Sequence, residues 1–192
     1  MAVYTTIDDP EAYFQVQLYT GNGAANHAIT LGGDTAMQPD WVWIKNRDNT
    51  SVHSLHDVLR GTQLLQSSAA DAQQDNSNYL LSFDSQGFTV GDNNNVNIVN
   101  NDFVGWVWKA GGTPTVDNSA ANDAQPTAGS AKIDGSNKVG AFSGSPSIAI
   151  KKLSANTTAG FSVSTYTGTG SNATLGHGLG AVPGMVLIKH LT

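Results

Sequence analysis

Two Trp-x-Trp pairs, Trp41/Trp43 and Trp106/Trp108, are the residues of this chain best suited to recognition chemistry. On a strand, residues two apart share a face, so each pair places two indoles side by side. Exposed, such a row stacks on sugar rings, whose apolar faces match an aromatic surface. Buried, it fills a sandwich core. The core reading is preferred, because a second copy of this segment carries Met185 and Leu187 in place of Trp41 and Trp43, which keeps the hydrophobicity and drops the rings.

Other chemistry is thinly supplied. His53 and His56 stand at i, i+3 beside Asp57, and a helix would bring the two imidazoles together as a metal requires. The spacing is not that of HExxH and no further ligand is identifiable. His177 lies in Gly176-His177-Gly178-Leu179-Gly180, a glycine-flanked turn, and reads as structural. Asp92-Asn93-Asn94-Asn95 and the stretch from Asp71 to Asp75 offer loop oxygens of the kind calcium takes, but without EF-hand or nonapeptide spacing. Gly21-Asn22-Gly23 and Gly168-Thr169-Gly170 are GxG without a following helix and third glycine, so a dinucleotide site is not expected. There is no GxSxG. Acid pairs such as Asp8-Asp9 have no pocket to share, whereas glycan hydrolysis needs two carboxylates facing across a cleft. No metal, cofactor or catalytic set is predicted, and the chain reads as a non-enzyme.

The elements that must position these residues are short strands. Of 192 residues, 12% are charged and 39% hydrophobic, and the difference is made up by Asn, Ser, Thr and 21 glycines, which favour turns and strands over helices. Phe14, Val16 and Leu18 alternate with Gln15, Gln17 and Tyr19, a strand with one buried face. Trp41–Lys45, Tyr79–Phe83, Gly87–Val90, Val96–Val99 and Phe103–Trp108 follow as strands, with His27–Leu31 as a further short one. Residues 51–68 read as a short helical turn or a strand–turn–strand, since Gly61 interrupts the helical spacing of Leu55, Val58 and Leu59. Close, turn-punctuated strands predict an all-β antiparallel sandwich, jelly-roll or lectin-like.

The chain also repeats itself. Residues 14–45 and 161–189 align, with Phe14 against Phe161, Tyr19-Thr20-Gly21 against Tyr166-Thr167-Gly168, Pro39 against Pro183 and Ile44-Lys45 against Ile188-Lys189. Long-period self-similarity points to a modular array. The predicted organisation is an arm over residues 1–12, a sandwich module over 13–112, an extended connector rich in Gly, Ser, Ala and Asn over 113–159, and the opening strands of a second module over 160–192. Within the connector, residues 132–135 and 147–150 are the expected anchoring strips.

Bulk properties exclude several classes. A net charge of -6 with scattered Lys and Arg argues against nucleic acid. No apolar run approaches the roughly 18 residues of a membrane helix, so no membrane insertion is expected. Without cysteine there is no disulfide or thiolate site. Residues 1–12 carry neither a basic n-region nor an apolar h-region, so no classical export signal is expected and synthesis is cytoplasmic.

Taken in order, YFQVQLYTGNG, QPDWVWIKNRD, DVLRG, SFDSQGFTVG, FVGWVWKAGGTPTVDNS and KLSANTTAGFSVSTYTGTGSNATLGHGLGAVPGMVLIK resemble a family of tailed-phage structural proteins, of the tail-fibre and receptor-binding kind. The resemblance covers nearly the whole chain. It implies a lectin-like sandwich serving as an architectural or adhesive part of a virion. Implied with it are attachment through an N-terminal arm (Tyr4, Ile7, Asp8, Asp9) to tail or portal-adaptor proteins, self-association as a homotrimer, and contact of distal parts with a host surface glycan. A capsid decoration or head-fibre protein, or a stand-alone glycan-binding module, are the alternatives. It supplies no catalytic residues.

Overall fold

Alternation of side chains dictates the first sheet. In a computed structural model that describes residues 7–118, 126–138 and 140–192, β1 (Phe14–Thr20), β3 (Trp41–Asn46), β4 (Ser54–Asp57), β5 (Gly61–Gln66) and β8 (Asp102–Trp108) form a five-stranded antiparallel sheet in the order β1-β8-β3-β4-β5. A three-stranded antiparallel sheet, β2 (His27–Thr30), β7 (Gly87–Val90) and β6 (Leu80–Asp84), closes over it. Val42, Ile44, Leu64, Phe103 and Val107 from the larger sheet meet Ile29, Leu80, Phe88 and Val90 from the smaller one, all buried in one cluster. This is an all-β sandwich with a single core between two sheets. It occupies the compact unit formed by residues 1–109 and 186–192.

Several local expectations resolve or change here. Residues 51–68 are a strand–turn–strand, β4 and β5, as Gly61 allowed; its φ of +68° suits glycine at the turn. Val96–Val99 is not a strand. The Asn93 side chain accepts from the Asn95 amide, and this cap turns Asn94–Asn97 into one helical turn, α1, despite the β-branched Val96. The buried face of β1 is also the polar one. Gln15 is buried while Phe14, Val16 and Leu18 face out. Gln15 Nε2 donates to the carbonyls of Glu11 and Thr35 (2.9 and 3.1 Å), and its Oε1 accepts from the Gly33 amide. Gln17 Oε1 accepts from the Gly32 amide, 2.9 Å. Backbone donors and acceptors of the loop after β2 therefore need amide side chains beneath them, and satisfying them outweighs burying the apolar row.

The expected connector is corrected most. Residues 110–185 form a second compact unit. Its sheet is β9 (Ala131–Ile133), β10 (Ser136–Asn137), β11 (Ile150–Asn156) and β12 (Phe161–Tyr166), in the order β10-β9-β11-β12. β9 and β11 run parallel, the other pairs antiparallel. Ala131, Phe142, Ile150, Leu153 and Ala155 make the core, with Ile133, Leu175 and Leu179 against it. The two predicted anchoring strips fall on β9 with its turn and on the entry to β11. Small residues hid this unit from composition, because they pack by close backbone approach. Gly111 donates to Ser154 Oγ at 2.9 Å, and a Cβ on Gly111 would lie 2.4 Å from the Lys132 carbonyl oxygen. Nor does β12 open a second sandwich: it pairs with β11, and no strand forms over 185–192.

Candidate functional site: the aromatic face of the five-stranded sheet

Because Val42, Ile44 and Val107 point into the core, their neighbours Trp41, Trp43, Trp106 and Trp108 point the other way. The four tryptophans are half-buried on the outer face of the sheet rather than in the core, which corrects the preferred sequence reading. The substitution of Met185 and Leu187 in the second copy is uninformative on this point, since hydrophobicity is also kept on an outward face that is apolar.

Register makes the four indoles one platform. Trp41 lies opposite Trp108, and Trp43 opposite Trp106, across β3 and β8; Phe14 lies opposite Trp108 across β1 and β8. Ring centroids are 4.9 Å apart for Trp41–Trp108, 4.8 Å for Phe14–Trp108, 6.0 Å for Trp41–Trp43 and 5.9 Å for Trp43–Trp106. The platform continues along β1, where Phe14, Val16 and Leu18 are 39%, 50% and 55% exposed. At the edge of β1 an open groove of about 520 Å³ adds polar groups, with Glu11, Gln15 and Gln17 beside Phe14 and Val16.

The polar surroundings are largely engaged. Trp43 Nε1 donates to His53 Nδ1 at 2.8 Å. Partial burial, helped by the Lys45 charge, lowers the His53 pKa. Lys45 Nζ itself donates to the Asn49 carbonyl at 2.9 Å. His53 and His56 are not brought together, since an extended chain sends positions three apart to opposite faces. His56 is fully buried, its Nδ1 3.2 Å from the Thr62 carbonyl, and burial followed by the Arg60 charge pushes its pKa down to about 3. Arg60 Nε and a terminal guanidinium nitrogen both reach Asp57 Oδ2 at 2.7 Å, and Asp57 Oδ1 accepts from the Leu59 and Arg60 amides. This buried ion pair closes the β4–β5 turn, and it is the structural meaning of the DVLRG motif.

Several of the remaining sequence candidates have structural duties. Asn93 caps α1, and Asp92 accepts from Asn78. Ser162 Oγ donates to the His177 carbonyl, and His177 Nδ1 accepts from the Leu179 amide. Of the predicted arm, Tyr4 lies outside the described residues. Asp9 accepts from the Glu11 amide at the head of a 3-10 turn (Pro10–Ala12) and from Thr35 Oγ1, so its carboxylate is used within the chain; Ile7 and Asp8 lead into it. Among the described residues there is no group of three or more His, Asp or Glu side chains placed to hold a metal ion, and no helix long and apolar enough to cross a membrane.

Sequence reasoning missed the hub that shapes the sandwich end. Asn97 is fully buried. Its Oδ1 accepts from the Asn22 amide and lies 2.9 Å from His27 Nδ1, while Nδ2 donates to the carbonyls of Ala24 and Gly91, both at 2.9 Å. Tyr19 donates its hydroxyl to the Val96 carbonyl at 2.7 Å and stacks on Phe103; burial raises its pKa. The one available signal was the Tyr19-Thr20-Gly21 motif, which in this copy alone docks β1 onto α1.

No curated protein and no solved structure matches this chain. A family described as "Domain of unknown function (DUF7483)" matches residues 9–130 and 134–192. With nearly the whole length matched, the chain belongs to this DUF7483 family.

Proposed function

We propose that the chain is a non-enzymatic structural part of a tailed-phage particle, of the tail-fibre kind, that works by packing its sheet faces against other protein. One observation carries this reading. The sandwich turns an aromatic and aliphatic row outward while it spends glutamines on the inside of β1. Patches of this kind mark contact surfaces, and burying each large side chain contributes about 1.5–3 kcal/mol. The likeness of the ordered motifs to tail-fibre proteins supports the same direction. Self-association into a homotrimer would cover three such faces at once. Sedimentation equilibrium of the intact chain is expected to give a trimer; a monomer at tens of micromolar would refute the trimer. Gold-labelled antibody on particles should decorate tails, and labelling of heads would favour the capsid-decoration alternative.

A second reading has its own observation. Half-exposed, tilted indoles beside a groove with polar rims suit a glycan, which stacks its apolar face and hydrogen-bonds at its edge. Glycan-array binding lost in Trp41→Ala and in Trp106→Ala, with circular dichroism unchanged, would establish it. Binding that survives both substitutions would exclude the platform.

A further inference from the structure

The strip from Met185 to Ile188 is the most exposed apolar run described in the chain. Its sequence counterpart is β3: Pro39 answers Pro183, Val42 answers Val186, Ile44 answers Ile188 and Lys45 answers Lys189. In the first copy β3 is an inner strand, laddered to β8 on one side and β4 on the other, and Val42 and Ile44 are 0% exposed. In the second copy Val186 is 69% and Ile188 is 71% exposed, with no ladder over 185–192. The same residue types thus sit once in the middle of a sheet and once in open solvent.

The strip is held open on its polar flank. Lys189 Nζ donates to the Ala69 carbonyl at 3.0 Å, and the Gln73 amide donates to the Leu191 carbonyl at 2.8 Å. Residues 186–188 join no ladder and are exposed, so their backbone is open to pairing with another strand.

We propose that Val186–Lys189 is the acceptor for an incoming β-strand of the β8 kind, with the pattern Phe-Val-Gly-Trp-Val-Trp, belonging to a module of this same family. The first copy identifies the occupant, because there β8 is what lies along β3. It also fixes the register. Val42 faces Val107, Trp43 faces Trp106 and Ile44 faces Gly105. Val186, Leu187 and Ile188 accordingly face the second valine, the first tryptophan and the glycine of the incoming strand. Val186 and Ile188 then lie on the side that forms a core in the first copy, and Leu187 on the side of the aromatic platform.

The test uses the full chain and a fluorescein-labelled peptide with the sequence of residues 101–109, NDFVGWVWK. Saturable binding by anisotropy is expected, with amide-exchange protection appearing at 186–189. The double substitution Val186→Asp, Ile188→Asp should weaken binding by about tenfold or more and leave the melting temperature unchanged, since both side chains are in solvent. Binding that a scrambled peptide matches, protection elsewhere but not at 186–189, or indifference to the double substitution would each overturn the proposal. Protection of these amides in the monomeric chain without peptide, together with no peptide binding, would also overturn it, because the strip would already be covered within the chain.

Discussion

Gly21 and Gly168 hold the same place in two copies of Tyr-Thr-Gly, yet their surroundings differ completely. A Cβ on Gly21 would lie 2.1 Å from the Ile98 carbonyl oxygen, which is backbone and cannot rotate away; a Cβ on Gly168 would meet nothing within 4 Å. Gly21→Ala should cost about 1–3 kcal/mol by overpacking, and Gly168→Ala should leave thermal stability unchanged within about 0.5 kcal/mol. Paired melting curves decide this. His56 makes a second prediction at this scale. Its Nδ1 faces the Thr62 carbonyl and so carries the proton; Nε2 is buried without a partner, so protonation would bury a charge beside Arg60. The folded pKa, about 3, lies below the unfolded value of 6.5. Above pH 6.5 its titration adds no pH dependence to stability. As pH falls below 6.5 the unfolded chain takes up a proton that the folded chain refuses, and stability drops by about 1.4 kcal/mol per pH unit until the folded pKa is reached. His56→Gln keeps a donor for Thr62 and should flatten stability between pH 6.5 and 5, measured by urea midpoints. An unchanged slope would show that His56 is not the titrating group.

At the scale of elements, β1 and β3 use opposite logic. The inner row of β3, Val42 and Ile44, is apolar and buried; the inner row of β1 is Gln15, Gln17 and Tyr19. Ile44→Ala should therefore cost about 2–5 kcal/mol, whereas Val16→Thr, on the outer row of β1, should shift denaturant midpoints by less than about 0.5 kcal/mol. A large loss for Val16→Thr would mean that the outer row is already covered. This contrast also explains what was legible in the sequence. β1, β2, β3, β6, β7 and β8 declare themselves by alternation and residue type, while β4 and β5 are one of the two readings that Gly61 left open. Which face of β1 is buried did not show, because it is set by the Gly32 and Gly33 amides, which take Gln17 and Gln15 as acceptors from 15 and 18 residues away, a contact the local pattern does not carry. For the same reason the tryptophans were assigned to the core, when β3 and β8 each had a smaller apolar row ready to fill it. The helical turn at 94–97 was concealed by Val96, and the Asn93 cap that makes it is seen only in the structure.

For the whole molecule, composition misled where packing is by small residues. Residues 110–185 carry few large apolar groups, yet fold around Leu153, Ile150, Phe142 and two alanines, with Asp117 bonded to Lys151 and Lys152 and its carboxyl held below the usual range first by the Lys151 hydrogen bond. So small a core has little reserve. Leu153→Ala, worth about 2–5 kcal/mol, should abolish exchange protection across 131–133 and 150–156; retained protection there would mean that the unit draws its stability from elsewhere. The internal repeat was visible in the sequence, but not its outcome. Homology of residue types predicts what a segment can join, and the ladder it joins depends on which strands reach it. β12 pairs with β11 because a hairpin partner precedes it, whereas the strip at 185–188 joins no ladder.

The hydrogen bond from Trp43 to His53 makes the aromatic platform an optical instrument. The bond requires a bare Nδ1, so protonating His53 must break it, and an imidazolium quenches indole emission more strongly than a neutral ring does. With Trp41, Trp106 and Trp108 within energy-transfer range of Trp43, the emission of the whole cluster should fall as pH drops through a midpoint below the ordinary histidine value, and His53→Gln should remove that step. Anything that settles on the platform, whether protein or sugar, shields His53 and shifts the same midpoint. Occupancy of this face is therefore readable with unlabelled protein, before its ligand is known.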